Sequence, residues 1–454
     1  MLMQGCLLSR GRVPMQLVCC LLLILAGAGP ARADVCRVTT VGQSGNSGAD
    51  WSLAMDLPTA LSTGTCTEIW VAQGVYKPGA VQTDAFNIAS GVGVYGGFAG
   101  IANETSRDSR DPFTHVTVLS GDIDDNDTNL DGNHIDETHA EIQGSNSFHV
   151  VVMTSSPTAP ITRATVLDGF VITGGRADAA TPQDRGGGML CNGKDTGNEC
   201  SPTLNNLAFC GNFAGYGGAL ENDGSFHGNS SPSLSNITFS GNRADQSGGA
   251  VANNGSNGAS NPVLGNVTFS GNSAGKKGGA LYSFSSAPIL RNVTFSDNSA
   301  GTQGGAIDFF GATGSSSPSL SNVILWNDTA AGGAEIYNDV NATPATIYNS
   351  VVQGSGGSGG TWVAAMGIDG GGNIDADPIL GPLGNHGGAT ATRLLGANSS
   401  AINAGDPIAC ISAPVNGVDQ RGVFRFEGTN ILCDIGAVEM AIITDRIFAN
   451  GFEP

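Results

Sequence analysis

The sequence predicts an all-β fold, a right-handed parallel β-helix of about 12 coils with a short N-terminal capping segment. Two observations predict it. The middle of the chain repeats every 26–30 residues, and within each repeat short apolar runs alternate as in β-strands, separated by Gly or Ser-Pro breaks rather than by helices. A composition with 69 glycines and 13% charged residues also fits disorder, but the regular spacing of Leu, Val, Ile and Phe indicates a packed core.

The repeat also predicts which side chains stack from one coil to the next. In the repeat over residues 264–281, Leu264, Val267 and Phe269 are expected to point inward. An Asn at a tight bend can bond its counterpart in the next coil, so two Asn ladders are expected. The aligned positions are Phe209, Phe239, Phe269, Phe295 and Leu325 for an inward column, Asn206, Asn236, Asn266, Asn292 and Asn322 for the first ladder, and Asn212, Asn242, Asn272 and Asn298 for the second. The Gly-Gly pair of each repeat supplies freedom and space for a sharp corner.

The regular repeats cover residues 204–345, and less regular coils are expected over residues 68–203. Strands in that earlier part are predicted over 68–72, 91–97, 116–121, 148–153 and 166–174. Residues 34–67 are expected to cap the first coil, with a short amphipathic helix over 49–61 that protects its open edge.

The N-terminus predicts export. Arg10 and Arg12 precede an apolar run over residues 17–25, and Ala31 and Ala33 are the small residues of a cleavage site before Asp34. The apolar run is shorter than the roughly 20 residues that span a bilayer as a helix. Residues 1–33 are therefore expected to be a signal peptide, and the mature chain is expected to have no membrane-spanning segment.

The charge of the chain restricts its partners. The net charge is −20, and it becomes −23 without residues 1–33, which hold three arginines and no acids. Nucleic acids and anionic membrane surfaces favour basic patches, so both are excluded as expected partners. The acidic balance suits a soluble exported protein or one that binds divalent cations.

Seven cysteines remain after the predicted cleavage site, and disulfides are expected in an oxidising compartment. Cys36–Cys66 and Cys410–Cys433 would each close a local segment. Between them, either Cys191–Cys200 or Cys200–Cys210 is expected, with one cysteine left over.

Several motifs resemble known bacterial families. The Gly-Gly-Ala and Phe-x-x-Asn repeats look like those of chlamydial-type polymorphic outer-membrane proteins and their β-helix relatives. The blocks EIWVAQGVYKP (68–78), GVGVYGGFAG (91–100) and VLSGDIDDND (118–127) resemble the leading part of such proteins. The resemblance implies a β-helix at the cell surface or in the medium, and it implies no reaction.

The C-terminal part resembles a choice-of-anchor Q domain, predicted over residues 346–440. The motifs are DPILGPLGNHGGAT (377–390), SSAINAGDP (399–407), DQRG (419–422) and CDIGAVE (433–439), with Asn385-His386 where such sequences more often show Asp-Asn. Residues 441–454 look like a short sorting-type tail. The resemblance implies association with the outer membrane or cell surface of a Gram-negative bacterium.

One acidic loop is a candidate calcium site. Its ligands would be Asp122, Asp124, Asp125, Asp127, Asn129 and Asp131. The spacing of the last three, followed by Gly132, fits the first half of a calcium loop, but Thr138 stands where a bidentate Glu is needed. The alternative is a solvated loop between coils. Calcium is the one cofactor that the sequence suggests.

No catalytic constellation is predicted. The residues that follow each Gly-Gly-Ala or its equivalent are aligned as Glu221, Ala252, Tyr282, Asp308 and Ile336. Only two are acidic, and no Lys or Arg follows them as a lyase base would. A hydrolase needs clustered carboxylates, whereas Glu221, Asp223 and Asp308 are expected to be spread over three coils, roughly 15 Å apart from end to end.

The sequence therefore favours a non-catalytic, secreted or surface-displayed protein, adhesin-like or carbohydrate-binding, and monomeric. Its coils would present flat faces of Ser, Thr and Asn with a few aromatic side chains, Tyr282, Phe309 and Phe310. Glycans or other cell-surface components are the expected partners. The alternatives are a polysaccharide lyase or glycoside hydrolase acting on acidic glycans, and a passive cell-surface rod.

Overall fold

A computed structural model describes residues 35–311, 317–426 and 431–440. The predicted signal peptide (1–33) and sorting-type tail (441–454) lie outside these residues. The described residues belong to one compact unit and form a right-handed parallel β-helix, which confirms the predicted fold class. Within the described part of the chain, no helix is long and apolar enough to cross a membrane.

Three parallel sheets run along the β-helix, named here sheet 1, sheet 2 and sheet 3. Sheet 1 contains Val35–Val38, Glu68–Ala72, Gly74–Tyr76, Gly93–Phe98, Thr117–Ser120, Val166–Thr173, Thr203–Cys210, Ser233–Ser240, Val263–Ser270, Ile289–Ser296, Ser319–Trp326, Thr346–Tyr348, Val351–Val352 and Ile368–Asp369. Sheet 2 contains Phe86–Asn87, Val151–Thr154, Met189–Asn192, Leu220–Asp223, Val251–Asn254, Leu281–Phe284, Ile307–Phe310 and Ile336–Asn338. Sheet 3 contains Arg176–Ala177, Phe213–Tyr216, Arg243–Ser247, Ser273–Ala274 and Ser299–Ala300.

The inward column of aromatic rings is confirmed. Along sheet 1, Phe209, Phe239, Phe269 and Phe295 are fully buried. Successive ring centroids are 5.0, 4.8 and 4.6 Å apart and the planes are nearly parallel. Leu325 pairs with Phe295 and extends the column. Stacking identical side chains at the strand spacing fills the core without voids.

The Gly-Gly corners have two different causes. The first glycine of a pair, for example Gly248, has φ +71°, a conformation that L side chains rarely adopt. The second, Gly249, lies against the next coil, and a Cβ there would be 2.0 Å from the carbonyl oxygen of Gly279. One position requires glycine for its dihedral angle and the other for its lack of a side chain.

The first Asn ladder follows a bend within the strands of sheet 1. Asn236 has φ +56°, and its Nδ2 donates to Oδ1 of Asn206 at 3.2 Å. Asn266 donates to Asn236 in the same way at 3.3 Å. Asn206 in turn donates to Asp168 Oδ1 at 2.8 Å. The ladder therefore satisfies side-chain amides at a bend that splits each strand.

The second Asn ladder lies in the interior. Asn212, Asn242 and Asn272 are fully buried, and Nδ2 of each donates to Oδ1 of the next at 3.0, 2.9 and 2.9 Å. Asn298 continues the ladder and donates to Asp328 Oδ1 at 2.8 Å. An aspartate thus occupies the last position, which the alignment did not identify.

The N-terminal cap differs from its prediction. Residues 49–61 are not one helix: a 3₁₀-helix, Trp51–Leu53, and an α-helix, α1 (Leu57–Ser62), are separated by Met55, which bridges to Val38. Asp50 and Asp56 each accept backbone N–H groups as N-caps, so the sequence starts two helices. Leu57 and Ala60 of α1 are buried in the core at this end.

The C-terminal region folds back along the outer face of sheet 1. Sheet 1 first continues past residue 345, where the terminal module was expected to begin, through Thr346–Tyr348, Val351–Val352 and Ile368–Asp369. An antiparallel pair, Leu380–Gly384 with Thr392–Leu395, and a helix, α2 (Pro407–Ile411), follow. Gln420 then bonds Thr238 and Thr268 of sheet 1 at 2.8 and 2.7 Å.

The cysteines pair as three disulfides, Cys36–Cys66, Cys191–Cys200 and Cys410–Cys433. The two local pairs that were predicted are confirmed, as is the first of the two alternatives for the central pair. Among the described residues, Cys210 is the free cysteine.

Candidate functional site

A groove runs over the outer face of sheet 2. Two adjoining cavities, about 320 and 460 Å³, share Arg185, Ser225, Phe226 and Asn254 in their walls. We call them together the sheet 2 groove. The other lining residues are Tyr216, Glu221, Ala252, Asn253, Ser256, Tyr282, Phe284 and Phe310 for the first cavity, and Thr154, Ser155, Thr181, Pro182, Leu190, Asn192, Lys194, Asp195, Asn198 and Asp223 for the second.

The strand register decides which sheet 2 side chains face this groove. In each four-residue strand the first and third residues point inward, and the second and fourth point outward. The outward column runs from Glu221 through Ala252 and Tyr282 to Asp308. It continues at Tyr337 rather than at Ile336, which pairs with the inward Ile307, so the predicted last member of the column was wrong.

Phe309 is a second correction. It was expected on an outward face, but it is fully buried and occupies a third, inward position of its strand. Phe310 and Tyr282 are outward as predicted, with ring centroids 6.3 Å apart.

Glu221 is a buried carboxyl of the groove whose pKa is strongly raised. Its side chain is buried, its Oε1 accepts from Arg185 Nη1 at 3.2 Å, and its Oε2 has no hydrogen-bond partner among the described residues. Burial raises the pKa of this carboxyl to about 8, although Arg185 acts in the opposite direction. Arg185 comes from the corner ahead of this coil, and its guanidinium lies 4.9 Å from the ring centroid of Tyr216.

Asp308 is a second buried carboxyl in the same column. Neither of its oxygens has a hydrogen-bond partner within the described ranges. Burial raises its pKa to about 7, while Lys277 lowers it. Lys277 Nζ itself lies 3.8 Å from the ring centroid of Phe310. The sequence had located Glu221 and Asp308, but not the basic residues beside them.

The carboxyl groups of the groove do not face one another across a gap. Glu221 and Asp223 project in the same direction from one strand, so the three carboxyls lie on two coils and the prediction of three was wrong. Asp223 Oδ1 already accepts from Ser225 N and Asn254 Nδ2 at 3.1 and 3.2 Å. Asp308 lies three strands away, about 14 Å at the normal strand spacing. Glycosidases need two carboxyls that flank the scissile bond at about 5–10 Å, and this arrangement does not supply them.

The predicted calcium loop forms a separate, small cavity of about 130 Å³. Four of the six predicted ligands line it, Asp122, Asp125, Asp127 and Asn129, together with Val75, Lys77, Ser120, His134 and Asp136. Burial and the neighbouring Asp127 raise the pKa of Asp136, a residue outside the predicted set.

The other two predicted ligands make contacts elsewhere. Asp124 Oδ2 accepts from Ser145 N at 3.0 Å, and Asp131 Oδ2 accepts from Asn133 Nδ2 at 2.7 Å. Across the part of the chain that is described, no group of three or more His, Cys, Asp or Glu side chains has the arrangement of a metal site. Calcium binding stays a prediction.

Comparison with known proteins agrees with the repeat architecture. Residues 236–254, 266–283 and 292–309 match the Chlamydia polymorphic membrane protein repeat, and each match runs from an Asn of the first ladder into a strand of sheet 2. No curated protein matches the chain. Among solved structures, the chain is similar to the crystal structure of pectate lyase Pel9A, with a TM-score of 0.48 and 13% identity over 90% of this chain and 96% of that one.

Proposed function

We propose that this protein is a non-catalytic, secreted or surface-displayed β-helix protein that binds a glycan in the sheet 2 groove. The observation that carries the proposal is the lining of the groove, in which the rings of Phe226, Tyr282 and Phe284 stand beside Asn, Ser and carboxyl groups. Ligand sites are typically concave, largely apolar and equipped with a few polar groups. A sugar chain offers apolar ring faces edged by hydroxyls, which suits both kinds of side chain.

A glycan-cleaving enzyme is the second candidate, because Glu221 has the raised pKa of a general acid. Hydrolysis also requires a second carboxyl on the opposite side of the bond, whereas Glu221 and Asp223 project from the same strand. Binding without turnover therefore fits the groove better.

The test is binding of the mature protein to immobilised neutral and acidic polysaccharides, with release of reducing ends and of unsaturated products measured in parallel. Phe226→Ala should weaken retention at least tenfold, because Phe226 lines both cavities and is 55% exposed. The matched control is Phe424→Ala, an exposed phenylalanine of the C-terminal region, which should retain full binding. Turnover would favour the enzyme, and no retention on any polysaccharide would favour a passive rod.

For location we propose export to the cell surface. The signal-peptide pattern of residues 1–33, the three disulfides and the matched repeats support it. If residues 441–454 direct sorting, their deletion should move the protein from the cell surface to the medium or the periplasm. Cell fractionation of both forms measures this, and an unchanged distribution would exclude a role for the tail.

A further inference from the structure

Glu221 lines the sheet 2 groove, and one oxygen of its buried carboxyl group is unpaired among the described residues. The side chain is 1% exposed, and Oε2 has no partner among the described residues. Buried polar atoms of folded proteins are nearly always hydrogen-bonded, because an unpaired one loses its hydration without compensation. A bound molecule with hydroxyl groups would satisfy this oxygen.

The contacts of Arg185 hold the carboxyl in place. Its Nη1 donates to Glu221 Oε1 at 3.2 Å, and its Nε lies 3.4 Å from Asp184 Oδ1. The guanidinium also packs over the ring of Tyr216. Because Oε1 is held by this fixed guanidinium, Oε2 is the oxygen left for a ligand.

The neighbouring strands leave a gap beside Glu221. Ala252 follows it in the outward column and Tyr282 comes next. Both Glu221 and Tyr282 line the first cavity, with the small Ala252 between them at its floor. The two large side chains are thus two strands apart, about 10 Å between backbones, and the cavity that both line has a volume of about 320 Å³.

The charges near the groove favour an uncharged ligand. Its cations already have partners: Arg185 pairs with Glu221, and Lys194 Nζ lies 5.0 Å from the ring centroid of Phe226. An anionic sugar would approach the Asp223 carboxyl, while a metal cation at Glu221 would lie next to the Arg185 guanidinium. In both cases two like charges would lie close together and repel each other.

We infer that Glu221 and Tyr282 enclose a subsite for one uncharged sugar unit, with Ala252 as its floor and Glu221 Oε2 as its hydrogen-bonding anchor. This inference rests on the proposed glycan binding. The sugar ring packs against Tyr282, and its hydroxyls exchange hydrogen bonds with the Glu221 carboxyl.

Calorimetric titration of the mature protein with cellopentaose, mannopentaose and trigalacturonate tests the subsite. At least one neutral probe should bind with a Kd tenfold or more below that of trigalacturonate. Glu221→Ala should raise this Kd at least tenfold. Ala252→Leu should also raise this Kd at least tenfold, because it fills the gap while the Glu221–Arg185 pair stays intact. This variant therefore tests the subsite even if Glu221→Ala does not fold.

The matched controls are Asp245→Ala and Ala140→Leu, which change an exposed carboxyl and an exposed alanine outside the groove. Both should bind like the unchanged protein. A preference for trigalacturonate, or full binding by Ala252→Leu, would overturn the subsite and leave glycan binding standing. Failure of every saccharide to bind would overturn the proposed function and the subsite together.

Discussion

At the scale of single residues, the second Asn ladder ends in a buried carboxyl pair. Asp328 takes the ladder position, and its backbone N–H lies 3.3 Å from Glu335 Oε1. Oδ2 of Asp328 and Oε2 of Glu335 have no partner other than each other within the described residues. Burial raises the pKa of both carboxyls, and Asp328 further raises that of Glu335. Near neutral pH, the carboxyls of Asp328 and Glu335 are therefore more protonated in the folded protein than in the unfolded chain.

The first prediction concerns Asp328→Asn, which restores the residue of the earlier coils. Since the folded-state pKa values are raised, the contribution of the pair to the free energy of unfolding is greatest at acidic pH. It falls as the pH rises above the ordinary carboxyl range. The substitution should therefore stabilise the protein by about 1–2 kcal/mol at pH 8 and much less at pH 5. Urea unfolding at the two pH values measures this. Asp245→Asn, an exposed carboxyl, is the control, and an equal gain at both pH values would contradict the explanation.

The second prediction separates the two causes of glycine at the corners. A Cβ at Gly249 would meet backbone oxygens of Gly279 and Ser273 at 2.0 and 2.5 Å. Gly271 has φ +67° but nothing within 4 Å of such a Cβ. Gly249→Ala should cost about 3 kcal/mol or more, and Gly271→Ala about 1 kcal/mol. Urea unfolding of both variants measures the two losses in unfolding free energy. Equal losses would show that the neighbouring coil shifts to make room for a Cβ at the corner.

At the scale of elements, the acidic loop gives the third prediction. Asp122, Asp125 and Asp127 line its cavity, where Lys77 forms an ion pair with Asp125. A bound Ca²⁺ would relieve the repulsion among the carboxyls, so millimolar CaCl₂ should raise the melting temperature relative to EDTA. Asp127→Asn should abolish the increase, whereas Asp131→Asn, outside the cavity, should preserve it. The prediction is wrong if CaCl₂ leaves the melting temperature of the unchanged protein where it was.

The repeating elements could be predicted from the sequence because each inward position recurs at a fixed offset, as Phe239 and Asn242 do in neighbouring coils. The sheet 2 groove could not be predicted from the sequence. Arg185 reaches Glu221 from a corner of the preceding coil, a contact between coils that the aligned columns do not show. The alignment placed Ala252 correctly between Glu221 and Tyr282, but the groove around it also needs Arg185 and Phe226, which lie outside the aligned columns. Phe309 was misplaced because neighbouring residues of a strand point to opposite faces, and Phe310 is the outward one.

At the scale of the whole molecule, the C-terminal region is attached to sheet 1 through a buried arginine. Arg425 is 1% exposed. Its Nη2 donates to Asn266 Oδ1 at 2.9 Å, and its Nη1 to Glu439 Oε2 at 3.3 Å. The guanidinium occupies the place where the side-chain amide of Asn292 would otherwise bond Asn266. The C-terminal region therefore supplies one of the hydrogen-bond donors of the first ladder. Arg425 and Glu439 therefore make these polar contacts inside the protein.

The last prediction tests that attachment with Arg425→Met, which keeps most of the volume but removes the donors. Asn266 Oδ1 and the Glu439 carboxyl would remain buried without a cation, a loss of about 3–5 kcal/mol. The amides of Ile435 and Ala437, bonded to Ala401 O and to Thr294 Oγ1 of sheet 1, should exchange hydrogen at least tenfold faster. Arg176→Met, on the exposed sheet 3 side, should leave them unchanged. Because the strands of sheet 1 are bonded to one another, their own exchange should stay slow; if it accelerated equally, the C-terminal region would be an integral part of the coils rather than a layer docked on them.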